Sequence, residues 1–168
     1  FAGRGHNVFV LNRGNDVQSV GVTHIKADRH ALGDMLKKYR FDAVIDVTAY
    51  NGKDVADLHE ALGRFGTYIL ISSSAVYPES LSQPFSEEQQ TGAYGTDKIA
   101  AENYVISHIP DHYILRPPYL CGPMNNVYRE AFVFDCAERG MPFYLPKDGS
   151  MPLQFFHVRD LCRFIEIL

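Results

Sequence analysis

The sequence predicts an α/β fold built on a doubly wound, parallel sheet. Short apolar, β-branched runs recur along the chain, and stretches with helical spacing separate one run from the next. Such alternation implies right-handed crossovers between parallel strands. Composition agrees: hydrophobic residues make up 46% and charged residues 21% of the 168, the ordinary balance of a globular domain.

The elements follow in order. Residues 6–12 (HNVFVLN) read as a buried strand and 22–26 as a short one. Leu32, Met35, Leu36 and Tyr39 fall at helical spacing and predict a helix over 31–40. Residues 42–47 (DAVIDV) are strand-like again. Val55, Leu58 and Leu62 predict a helix over 53–65, and 66–72 (GTYILIS) the next strand. A stretch rich in Ser, Pro and Gln over 78–92 predicts a long surface loop. A helix over 93–107, a strand over 112–115 and a proline-broken loop at Arg116-Pro117-Pro118 come next. Beyond them a helix is expected over 126–139, strands over 142–145 and 153–157, and a last helix over 160–168 with Asp160 as N-cap. The chain opens on Gly3-Arg4-Gly5-His6 directly before a strand, which reads as the turn ending a helix. A dinucleotide-binding fold begins instead with a strand, a glycine-rich turn and a helix. The expected architecture therefore lacks its first strand and helix.

Bulk properties weigh against several function classes. A net charge of −4 argues against an electrostatic nucleic-acid binder. No apolar run approaches the roughly 20 residues of a membrane span, and the first residues lack the organisation of a secretory signal. Cys121, Cys136 and Cys162 are odd in number and widely spaced, which predicts a reduced, cytoplasmic protein without disulfides. His108 and His112 have metal-ligand spacing, but Pro110 breaks the helix that would align them, so no metal is expected. Phe132, Phe134 and Phe143 read as core residues.

The residues that carry chemistry begin with Tyr94-Gly95-Thr96-Asp97-Lys98. On a helix, Tyr94 and Lys98 share one face. A phenol with an ordinary pKa near 10 is a poor base at neutral pH. A neighbouring ammonium favours the phenolate, so Tyr94 can exchange a proton with a substrate hydroxyl. Upstream, Ser72, Ser73 and Ser74 follow a buried strand, at the sheet edge where open α/β folds bind ligands. Taken alone, YxxxK is a weak signal and three serines read as a plain turn. Their order in one chain is far more specific.

That order, with Asp42-Ala-Val-Ile-Asp-Val, Leu115-Arg-Pro117, Gly122-Pro123 and Phe156-His-Val-Arg-Asp160, resembles the extended short-chain dehydrogenase/reductase family. Its best-known members are NAD-dependent sugar-nucleotide epimerases and dehydratases. The resemblance implies an incomplete dinucleotide-binding Rossmann domain over 1–120 and the start of a substrate-binding region over 121–168. It implies that Tyr94 is the acid/base, that Lys98 binds the nicotinamide ribose, and that Ser73 assists at the substrate hydroxyl. Asn12, Arg13, Asp28, Val47, Thr48, Ala49, Ser72 and Pro117, with Tyr94 and Lys98, would contact the cofactor, Asp28 at the adenine and Pro117 near the nicotinamide. Ser74, Gly122, Asn125 and Arg159 would face the substrate, a sugar nucleotide or similar hydroxyl compound.

Three departures from the family pattern stand out. Pro78 follows Val76-Tyr77 where glycine is usual. Asn12-Arg13 ends a strand where NAD users place an acid, which leans toward NADP because Arg13 can pair with a 2′-phosphate. Arg159 occupies a position that is commonly acidic. Two functions follow from the resemblance: an NAD(P)-dependent epimerase, dehydratase or reductase, or a non-catalytic NAD(P)-sensing or RNA-binding protein of the same fold. The family's habit of dimerising through the YxxxK helix implies a homodimer using Ala100, Ala101, Tyr104 and Val105. Packing of those residues on the sheet is the other reading.

Overall fold

The structure, a computed structural model, describes residues 1–14, 19–78, 85–86, 95–125, 127–145 and 147–168. Most of the loop predicted over 78–92 lies outside them, as do Ala93 and Tyr94. The chain divides into two compact units, Phe1–Arg116 and Pro117–Leu168. Every strand pair among the described residues is parallel.

In the first unit, β1 (Val8–Asn12) pairs with β2 (Val22–Lys26), and β3 (Arg40–Asp46), β4 (Arg64–Ile71) and β5 (His112–Leu115) form a second sheet in that order. Parallel register brings the C-terminal ends of the paired strands to one edge: Asn12 lies opposite Lys26, Asp46 opposite Leu70, and Ile71 opposite Leu115. At the start of β4, a Cβ on Gly66 would lie 2.3 Å from the Asp42 carbonyl oxygen, so only glycine admits β3 this close.

Two helices complete this unit. In α1 (Gly52–Ala61) the Asn51 side chain accepts from the Asp54 amide at 2.9 Å, and the Asp54 carboxylate reaches back to the Tyr50 amide at 2.7 Å. The first bond satisfies a donor that a helix start leaves open, and the second ties the residue before the cap to the first turn. α2 (Thr96–His108) buries Ala101 and Val105 in the core with Val55, Tyr68, Leu70 and Ile109. Both residues thus pack inside their own chain. Gly5, at φ 91°, ends the short 3-10 helix Ala2–Arg4, as its place before a strand predicts.

Several element predictions need correcting. No α-helix forms over 31–40. A 3-10 turn (Arg29–Ala31) gives way to successive bonds of the i to i+3 kind, from Met35 to Leu32, Lys37 to Asp34 and Tyr39 to Leu36. Gly33 adopts φ 51°, in the left-handed region that stops a right-handed helix. Leu32 and Leu36 are nonetheless buried, so the apolar periodicity marked the core while misreading the backbone. The second helix ends at Ala61 rather than at 65. A Cβ on Gly63 would sit 2.7 Å from the Lys37 carbonyl oxygen, and Arg64 and Phe65 already belong to β4.

The second unit holds β6 (Tyr119–Cys121) paired with β7 (Phe155–His157), plus α3 (Glu130–Glu138) and α4 (Val158–Ile165). The strand β6 was not foreseen, because three residues after two prolines carry no periodicity. Residues 142–145 are not a strand. Phe132, Phe134 and Phe143 are exposed rather than core. The N-cap of α4 is His157, whose Nδ1 accepts from the Arg159 amide at 3.1 Å, whereas Asp160 pairs with Arg163. Cys121, Cys136 and Cys162 are free thiols. No helix among the described residues is long and apolar enough to cross a membrane.

Candidate active site

The C-terminal edge of the first unit's strands collects most of the residues the sequence nominated. Its centre is Asp46, the last residue of β3 and buried. The Asp46 carboxylate accepts both arms of the Arg29 guanidinium at 3.0 and 2.9 Å and the Tyr68 hydroxyl at 2.8 Å. It also accepts from the Thr48 and Ala49 amides at 3.2 and 3.1 Å. A buried carboxylate is tolerated only when satisfied in this way. Burial, and then the Asp46 charge and hydrogen bond, push the Tyr68 phenol far above its ordinary value, so it stays a donor. These bonds shape the turn holding Val47, Thr48 and Ala49. They also hold Arg29 beside it, next to Asp28, whose side chain caps the 3-10 turn through the His30 amide. Thr48 Oγ1 accepts from Arg29 at 2.8 Å.

Beyond that turn, Val47 and Tyr50 are 62% and 68% exposed, an open apolar ledge at the strand ends. Against it stands Lys98, on the first turns of α2. Its Nζ donates to the Ala49 carbonyl at 2.6 Å and the Ile71 carbonyl at 3.1 Å, and lies 5.2 Å from the centre of the Tyr50 ring. Burial lowers the Lys98 pKa, with the Asp46 and Asp54 charges opposing. The ammonium thus bridges the turn after β3 and the last residue of β4, one residue before Ser72.

The serine turn continues from β4. Ser72 is buried and donates its hydroxyl to Glu102 Oε1 at 2.5 Å. Ser73 caps the 3-10 turn Ser74–Val76 by accepting from the Ala75 amide at 3.1 Å, and Ser74 is half-buried. At the start of α2, a Cβ on Gly95 would lie 2.7 Å from Val76 Cα and 2.8 Å from the Ala75 oxygen. Only glycine permits that approach, which seats the residue after Tyr94 directly on the serine turn. Tyr94 itself lies outside the described residues.

At the neighbouring strand ends, Asn12 accepts from the Gly14 amide at 2.8 Å and bonds His24 at 2.7 Å, while Arg13 is exposed. Pro117, Gly122, Asn125 and Arg159 belong to the second unit. There Gly122, at φ 127°, passes so close to His157 that a Cβ would meet its Nε2 at 2.9 Å. Gly122 and Arg159 follow the C-terminal ends of β6 and β7, where Cys121 pairs with His157. The Asn125 amide donates to both Glu130 oxygens at 3.2 Å.

Sequence reasoning gave no role to Asp46 and Arg116, which stand inside quoted motifs, and passed over Arg29 and Glu102, because the partners of all four lie far apart along the chain. Gly95 was more accessible, since it stands inside the Tyr94–Lys98 motif.

Comparison with known proteins sets this edge in context. A family model described as the NAD dependent epimerase/dehydratase family matches residues 1–168. The chloroplast stem-loop binding protein of 41 kDa b of Arabidopsis thaliana is 29% identical over 153 residues, 88% of this chain and 40% of that protein. UDP-N-acetylglucosamine 4-epimerase from Bacillus cereus aligns with a TM-score of 0.78 at 19% identity, over 98% of this chain and 65% of its own. MoeE5, solved with UDP-glucose and NAD, aligns with a TM-score of 0.76 at 23% identity, over 98% of this chain and 64% of its own. This chain therefore spans less than half the length of the plant relative and just under two thirds of the two solved structures. The structural likeness identifies the fold as a Rossmann-like parallel α/β sheet. With the family model matched from the first residue to the last, the chain belongs to the NAD dependent epimerase/dehydratase family.

Proposed function

We propose that the strand-end edge of residues 1–116 is the catalytic part of an NAD(P)-dependent epimerase, dehydratase or reductase acting on a nucleotide-linked sugar, with 117–168 contributing to the substrate region. The observation that carries this reading is Lys98, whose ammonium rests on the Ala49 and Ile71 carbonyls beside Ser72 and Ser73. The residues fit a nicotinamide dinucleotide. Val47 and Tyr50 offer an apolar ledge for a flat ring, Lys98 a donor for ribose hydroxyls, and Asp28 an acceptor for the adenine end.

When bound, the nicotinamide supplies a site that takes and returns hydride. The protein's own part is proton control. The Lys98 charge favours the phenolate of Tyr94, which takes the proton of the substrate hydroxyl and gives it back. Ser73 orients that hydroxyl. The missing acid after Asn12, with Arg13 exposed beside it, leans the cofactor toward NADP. A reducing compartment such as the cytoplasm fits the free thiols, and a homodimer through exposed parts of α2 belongs to the same proposal.

Similarity to the stem-loop binding protein favours a second reading, an RNA-binding relative that keeps the fold. One experiment separates the two. The complete natural chain and its Tyr94→Phe variant are assayed with UDP-glucose, UDP-N-acetylglucosamine and UDP-glucuronic acid in the presence of NAD or NADP. The expected result is turnover by the wild type and a loss of roughly 100-fold or more in kcat for Tyr94→Phe, with NADH binding unchanged by fluorescence titration. Turnover preserved in Tyr94→Phe rejects the catalytic assignment. An RNA stem-loop bound tightly with no sugar turned over supports the second reading.

A further inference from the structure

The strand end before Ser73 and the helix carrying Lys98 are joined by a charge cluster that takes no part in the proton chemistry above. Glu102 is fully buried on α2. Four residues after Lys98, it presents the same helix face one turn on. Lys98 grips the carbonyl of Ile71, and Glu102 grips the hydroxyl of Ser72. Two successive turns of one helix thus hold two successive residues of one strand end, and a slide or rotation of the helix breaks both bonds.

The third side is closed from β5. Leu115 pairs with Ile71, and its carbonyl accepts from the Ser72 amide at 2.7 Å. The next residue, Arg116, presents a fork to Glu102: Nε to Oε1 at 3.0 Å and Nη2 to Oε2 at 2.8 Å. Its remaining arm donates to the Tyr77 hydroxyl at 3.0 Å, with the guanidinium 5.1 Å from the Tyr77 ring centre. Tyr77 in turn stacks on Phe85 at 4.6 Å. The cluster therefore ties α2, β4, β5 and the turn after Val76 at the level of the serines.

Stability alone does not explain a charged pair here. Apolar residues of similar volume are often as stabilising as a buried ion pair, because desolvation cancels most of the attraction. What an apolar pair lacks is direction: a guanidinium fork and a carboxylate lock distances and angles. We infer that Glu102 and Arg116 are positioning residues, which fix Ser73 and Lys98 relative to each other across the β4–α2 junction. This inference rests on the catalytic reading above.

The test uses the complete natural chain, whichever of the three UDP-sugars it turns over, and Tyr94→Phe as a parallel control. Replacing the pair together, Glu102→Met with Arg116→Met, leaves no charge unpaired but takes the acceptor from the Ser72 hydroxyl, so the melting temperature should fall only slightly. The double change should lower kcat roughly 10- to 100-fold with little change in the KM for the dinucleotide. Arg116→Lys keeps the charge and loses the fork. It should fold normally and lower kcat about 10-fold, which keeps the test decisive if the double variant does not fold. Unchanged kcat in a folded double variant, or in Arg116→Lys, overturns the positioning role. A fall in kcat accompanied by a large fall in melting temperature and by weaker dinucleotide binding overturns it in favour of a structural role. If Tyr94→Phe stays active, or the wild type turns over none of the sugars, the catalytic reading itself fails and takes the inference with it.

Discussion

Lys98 illustrates how one side chain can be held ready by its backbone surroundings. Two carbonyls at 2.6 and 3.1 Å fix the ammonium at the junction of two strand ends. Its depressed pKa reflects burial, and the Asp46 and Asp54 charges offset part of that cost. Arg13 is the opposite case, exposed and specified only by its place after β1. In the complete chain, Arg13→Ala should weaken NADPH roughly 10-fold or more while leaving NADH almost unchanged, as read by fluorescence titration. Equal effects on both remove the NADP preference. Single residues could be nominated from the sequence where a reaction demands fixed types at fixed spacing, and the structure places two of those nominated, Ser73 and Lys98, just past the end of β4 and on the facing helix. The pairing of Glu102 with Arg116, or of Asp46 with Arg29, was not legible, because these partners stand 14 and 17 positions apart in sequence. No local pattern links such partners before the strands and helices assemble.

Among the elements, α1 shows what packing does to a titratable group. His59 lies edge-on to Phe65 and Tyr104, with ring centres 5.8 and 6.0 Å away. Burial, helped by the charge of His108, lowers its pKa below the ordinary 6.5. The unfolded chain then takes up the proton first as pH falls, so this site's contribution to stability is lost from about pH 6.5 downward and levels off below the folded pKa. Thermal denaturation between pH 7.5 and 5 should show a smaller loss for His59→Gln than for the wild type; an identical pH dependence removes the assignment. Element prediction succeeded where burial and backbone agree, as in 22–26 and 112–115. It failed over 31–40, where Gly33 at φ 51° turned a helical apolar pattern into linked turns. It failed again over 142–145, because exposed Tyr144 and Leu145 read as apolar without being buried.

For the whole molecule, parallel pairing is the property from which the site follows. Each parallel strand ends on the same edge as its neighbour, so residues after β3 and β4 become neighbours without being close in sequence. Alternating patterns gave the parallel α/β class, and the order of motifs gave the family. What patterns did not give was the division of the strands into three parallel sheets among the described residues, or the extra strand β6. Hydrogen bonding between chain segments decides both, and periodicity does not record it. The catalytic reading makes one geometric demand that can be met or refused in a single experiment, a crystal structure of the complete natural chain grown with NAD. It predicts the nicotinamide ribose hydroxyls within hydrogen-bond reach of Lys98 Nζ, above Val47, Thr48 and Ala49, with the adenine end toward Asp28. A dinucleotide bound elsewhere, or bound there while Lys98 makes no contact with it, contradicts that reading.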